Sequence, residues 1–127
     1  MRIAAIDHLV LTVADPEATV AFYERLGMRA ETFGEGRLAL RFGRQKINLH
    51  TAGAEFDPHA AAPVPGSADF CLLVEGPLSD VERELAEAGI AVEVGPVDKK
   101  GAEAPLRSVY VRDPDGNLVE LSEPREA

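Results

Sequence analysis

Tryptophan is absent from this 127-residue chain, cysteine occurs once and histidine only three times. A single cysteine, Cys71, excludes an internal disulfide framework, so stability has to come from a packed core; 46% hydrophobic content over one domain's length can supply it. Basic residues are also scarce, 13 Lys and Arg against 22 Asp and Glu, for a formal net charge of −9. With no basic excess to replace the counterions of a phosphate backbone, nucleic acids and anionic membranes are excluded as partners, leaving small molecules and other proteins. No apolar run is long enough to span a bilayer, and no charged segment followed by an apolar one opens the chain. The expectation is a soluble, cytoplasmic protein.

What is present is an ordered string of short elements. Ile6 to Val13 alternates as a strand, with Asp7, Leu9, Leu11 and Val13 on one face and Ile6, His8, Val10 and Thr12 on the other. Asp15 and Pro16 form a helix start, Ala18, Phe22 and Leu26 recur at helical spacing, and Gly27 ends the run. Strands follow at 29–33, 37–42 and 46–50, giving β-α-β-β-β. Residues 51–66, with proline and an alanine run but no period, read as a linker. The order then restarts: a strand at 67–74, a helix carrying Leu78, Val81, Leu85 and Ala88 and stopped by Gly89, and strands at 91–94, 107–112 and 117–122. Asp113-Pro114-Asp115-Gly116 is a strong turn between the last two, and 95–105 reads as an exposed loop.

The spacings identify an internal repeat. His8 to Gly27 spans 19 positions and Asp69 to Gly89 spans 20, while Gly43 to His50 and Asp113 to Glu120 each span 7. Counted this way, His8 matches Asp69 and His50 matches Glu120. The fold class expected is α+β: two tandem modules, about 3–50 and 67–123, within a single domain over 1–127. A β-α-β-β-β unit covers one sheet face with its helix and leaves the other open, so two copies are expected to form a partly open mixed-sheet barrel around a cleft. Strand alternation turns Ile47, Leu49, Val119 and Leu121 toward the helices, which sends His8, His50, Asp69 and Glu120 to the opposite faces. Four metal-capable side chains thus hold equivalent places in two repeats.

With the IDHLVLTVADP opening, the FYERLGM helix end and the closing YVRDPDGNLVELSE, the chain resembles the vicinal oxygen chelate superfamily, which includes glyoxalase I, fosfomycin-resistance enzymes, extradiol dioxygenases, methylmalonyl-CoA epimerase and bleomycin-resistance proteins. QKINLH and PGSADFCLL look most like the branch of glyoxalase domain-containing protein 5 and related bacterial proteins. The resemblance implies metal ligands on the first and last strands of each module, here His8, His50, Asp69 and Glu120, and a homodimer. Asp69 departs from the histidine usual at the second module's start, and three roles stay open to it: fourth ligand, partner of a ligand imidazole, or base beside the metal.

Two imidazoles and one or two carboxylates suit Fe, Mn, Co, Ni or Zn. Such an ion acts as a Lewis acid on a substrate presenting two adjacent oxygens, for lyase, isomerase or dioxygenase chemistry, with Glu120 as the catalytic proton shuttle. The alternative is a metal-free module that sequesters a small molecule. A pure binder has no need of His8, His50 and Glu120 together and is expected to line its groove with aromatics, yet only 6% of this chain is aromatic. Of the remaining candidates, His59 is expected to be exposed in the linker and Cys71 to be a small buried hydrophobe. Arg107 and Tyr110 fit either substrate contact or a solvated sheet edge.

Overall fold

The computed structural model describes residues 1–126 and divides into two units, Met1–Ser67 and the chain from Ala68 onward. The first unit runs β1 (His8–Val13), α1 (Pro16–Arg25), β2 (Arg29–Phe33), β3 (Arg37–Phe42) and β4 (Gln45–Thr51). Helix α1 starts where its sequence predicts, because the Asp15 carboxylate accepts from the free N–H groups of Glu17 and Ala18 and Pro16 has no N–H to satisfy. It ends into Gly27, whose φ of +96° is open to glycine. The sheet order is β1-β4-β3-β2, with β1 parallel to β4 and the other pairs antiparallel. One face is apolar as the alternation requires: Leu11, Val13, Leu40, Ile47 and Leu49 are buried, with Phe22 and Tyr23 of α1. Helix α1 packs on β2 and β4, and β1 presents His8, Val10 and Thr12 on the other face.

The second unit repeats the order as β5 (Asp69–Leu73), α2 (Leu78–Glu87), β6 (Val94–Lys100), β7 (Pro105–Arg112) and β8 (Leu118–Pro124), arranged β5-β8-β7-β6. Val109, Val111, Val119 and Leu121 are buried with Leu78 and Leu85 of α2, which packs on β7 and β8. Helix α2 lacks a capping side chain at Pro77; the Leu78 N–H instead donates to Glu123 Oε1 on β8 at 2.8 Å. Two tandem β-α-β-β-β units in an α+β chain are therefore present as expected.

Strand β6 corrects the expected boundaries. Residues 91–94 read as a strand and 95–105 as a loop, whereas the strand starts at Val94 and continues to Lys100. It is mostly exposed and lies at the sheet edge, so no apolar alternation marks it, and Pro96 coincides with a break in register against β7 between Val94 and Val97. Gly95 has φ +116°, and a Cβ there would meet Ser108 O at 2.5 Å, so the strand approaches β7 too closely for any other residue. Among the described residues no helix is long and apolar enough to cross a membrane.

Candidate functional site

In the first unit the open face carries His8, Val10 and Thr12 from β1 beside Lys46, Asn48 and His50 from β4. His8 is exposed at the start of its strand, and its Nδ1 lies 2.8 Å from Asp7 Oδ2. With Asp7 accepting from Nδ1–H, Nε2 is the ring nitrogen outside that bond. The same hydrogen bond holds the Asp7 carboxyl below its ordinary pKa.

The parallel ladder of β1 and β4 pairs His8 with Lys46, Val10 with Asn48 and Thr12 with His50. His8 and His50 thus share a face but stand four residues apart along it, about 13 Å at the usual rise per residue. In the second unit Asp69 pairs with Leu118, Cys71 with Glu120 and Leu73 with Ser122. Counted from the first residue of each opening strand, Glu120 corresponds to Asn48, and His50 corresponds to Ser122. This corrects the repeat count that equated His50 with Glu120. That count began at the turns, and they differ in length: Gly43-Arg44 joins β3 to β4, whereas residues 113–117 join β7 to β8. Asn48 is the residue the count missed. Its side-chain oxygen is buried without a hydrogen-bond partner, an exception that calls for a ligand, an ion or a water.

The segment read as a linker folds onto this face. His50 is 8% exposed, and its ring meets Phe56 edge-on with centroids 5.7 Å apart. The Arg37 guanidinium lies 4.4 Å from the centroid of the same phenyl ring, and no carboxylate among the described residues pairs with it. Two hollows result. One, of about 330 Å³, is lined by Phe33, Gly34, Glu35, Arg37 and Phe56; the other, of about 370 Å³, by Val10, Thr12, His50, Pro58, His59 and Ala60. His59 is exposed as expected, yet it forms part of that wall.

In the second unit Asp69 and Glu120 share a face one ladder step apart. Asp69 is exposed; Glu120 is half-buried and sits in a group of hydroxyls. Ser108 Oγ donates to Glu120 Oε2 at 2.7 Å, and Ser122 Oγ lies 2.7 Å from Ser108 Oγ and 3.2 Å from Glu120 Oε2. Tyr110, level with Glu120, has its phenol pushed up to about 12, first by burial and then by the Glu120 carboxylate. Cys71 is exposed, not buried as expected, with Sγ 3.1 Å from Ser122 Oγ; partial burial of the sulfur raises its pKa. Arg107 pairs with Asp98 at 3.0 Å, on the opposite sheet face from Glu120.

The resemblance carried by the sequence motifs implies a divalent ion. Among the described residues no three His, Cys, Asp or Glu side chains are grouped closely enough to cage one. The donor types suit one: with His8 Nδ1 engaged by Asp7, Nε2 is the ring nitrogen on the far side from that bond, and Glu120 has Oε1 outside its serine contacts.

Over its full length the chain is 50% identical to glyoxalase domain-containing protein RDO1 of Mycosarcoma maydis, covering 72% of that protein. It is 52% identical to virulence protein STM3117 of Salmonella typhimurium, whose crystal structure superposes with a TM-score of 0.96 over 98% of this chain and 100% of that one. Two more distant structures, each 25% identical with a TM-score of 0.73, are a lactoylglutathione lyase from Agrobacterium tumefaciens (96% of this chain, 95% of that one) and the antibiotic-binding protein TnmS3 from Streptomyces sp. CB03234 (98% and 99%). The family model matches residues 5–121, and the chain belongs to the Glyoxalase/Bleomycin resistance protein/Dioxygenase superfamily.

Proposed function

We propose that this protein is a metal-dependent enzyme of the glyoxalase and dioxygenase type, acting on a small substrate that offers two adjacent oxygens to a divalent ion. The observation that carries the proposal is His8: a strand-start imidazole whose Nδ1 is engaged by a carboxylate at 2.8 Å presents the other nitrogen as a ligand. His8 and Glu120 are the ligands proposed, and Asp69, one ladder step from Glu120, is proposed as a base beside the ion. His50 was grouped with them by the repeat; its distance along the sheet from His8 and its stacking on Phe56 favour a substrate-facing role instead. The ion, of the Fe, Mn, Co, Ni or Zn class, supplies Lewis acidity when bound. Glu120 holds or moves a proton at Oε1, the oxygen outside its serine contacts, and the buried hydroxyls of Ser108 and Ser122 keep its carboxylate oriented. The proposal extends to a homodimer.

A second reading, a metal-free binder of a small molecule, is favoured by the hollow lined by Phe33, Phe56 and the unpaired Arg37. Aromatic walls are what a binder needs, and here the linker supplies one. Turnover separates the two readings. A panel of oxygen-rich metabolites is incubated with protein loaded with each metal in turn. The enzyme reading expects product from at least one, lost on chelation and restored by the metal; saturable binding that is insensitive to chelation, with no product anywhere, supports the binder.

A further inference from the structure

We infer that Ser108 is the positioning residue for Glu120, fixing its carboxylate through Oε2 and leaving Oε1 clear of both serines for a ligand; the inference rests on the metal reading above. Ser108 and Ser122 are 0% exposed and lie on the face of the second sheet that carries Glu120. Buried hydroxyls at strand positions where Val or Ala would pack are unfavourable unless bonded. The distances order the protons. Ser108 gives its single proton to Glu120 Oε2 at 2.7 Å, so in its 2.7 Å contact with Ser122 it can only accept, while Ser122, which also donates to Glu120 Oε2 at 3.2 Å, lies 3.1 Å from Cys71 Sγ. Ser122 lies farther from Glu120, at 3.2 Å, so Ser108 is the strong donor and the end of the chain.

A carboxylate on a half-buried strand has several rotamers, and a ligand must be held in one of them to bind tightly. Donation to Oε2 from fully buried hydroxyls favours one rotamer, and both serine contacts spare Oε1. Two serines satisfying only each other would account for their burial but not for the short bond to Glu120.

The test is a double-mutant cycle in the full chain, with Mn²⁺ affinity measured by calorimetry for the parent, S108A, E120Q and the pair, alongside crystal structures of the metal-free parent and S108A. A positioning role predicts that S108A weakens Mn²⁺ binding about 10-fold, the lower end of what losing a ligand's supporting hydrogen bond costs. It also predicts that S108A adds nothing in the E120Q background, and that Glu120 leaves its parent position in the S108A crystal. Equal affinity for S108A and parent, or the same loss in both backgrounds, overturns the inference. A parent that binds no Mn²⁺ counts against the metal reading instead. The structures then decide the positioning claim alone: an unmoved Glu120 overturns it, and a displaced one supports it.

Discussion

His8 and His50 lie on one face of the first sheet, His8 level with Lys46 and His50 level with Thr12, four residues apart along parallel strands. Side chains on a strand stand nearly perpendicular to the sheet, so imidazoles about 13 Å apart at their backbones do not converge on one ion without leaving their packing. The expected outcome of His50→Ala is metal content within error of the parent, measured by elemental analysis, with weakened ligand binding through loss of the wall shared with Phe56 and His59.

Asp7 is exposed, and its carboxylate bonds to His8. Asp7→Asn is expected to leave the unfolding midpoint unchanged and to weaken metal affinity about 10-fold or more, because the imidazole loses the carboxylate that fixes its tautomer. Calorimetric titration of parent and variant checks this, and equal affinities would count against a ligand role for His8.

Tyr110 gives a pH-dependent signal. Its phenol titrates near 12 in the folded protein, against about 10 for free tyrosine. The folded state therefore keeps the proton more tightly, so this contribution to stability is present in full below about pH 10 and is lost as pH rises toward 12. Absorbance titration should show one late-titrating tyrosine, and E120Q should bring it to lower pH, since the Glu120 charge is part of what holds the proton.

Asn117 is 1% exposed and closes the β7–β8 turn: its backbone N–H and side-chain amide donate to the Asp113 carboxylate, and its side-chain oxygen accepts from the Ala68 N–H. Asn117→Ala strands the part-buried Ala68 donor and removes a charge-assisted bond, which together are worth about 3 kcal/mol. Denaturant unfolding should show that loss with an unchanged slope.

Much of this was legible in the chain because local signals and packing agree. Asp15-Pro16 marks the start of α1, the alternation about Leu11 and Val13 gives β1 its buried face, and Ile47, Leu49, Val119 and Leu121 are buried as their phase requires. Strand β6 was not legible, since an exposed edge strand held by backbone bonds needs no apolar pattern. Nor was the folding of 51–66 onto the first sheet, because Phe56 meets His50 and Arg37 through tertiary packing with no period to announce it. The site shows the same division. Residue types picked out His8 and Glu120, but the pairing of His50 with Glu120 failed on turn length, which only the ladders reveal, and Asn48 went unnoticed as an ordinary polar strand residue. Ser108 and Ser122 carried no signal either; two serines on a strand look like its solvent face.

The central claim is that a divalent ion is held through His8 and Glu120, and metal stoichiometry after expression with Fe, Mn, Co, Ni and Zn tests it most directly. The parent is expected to retain about one ion per chain. His8→Ala and Glu120→Gln should each fall well below that while remaining folded by circular dichroism. A parent free of metal under every supplement, or a His8→Ala variant as fully loaded as the parent, would contradict the account.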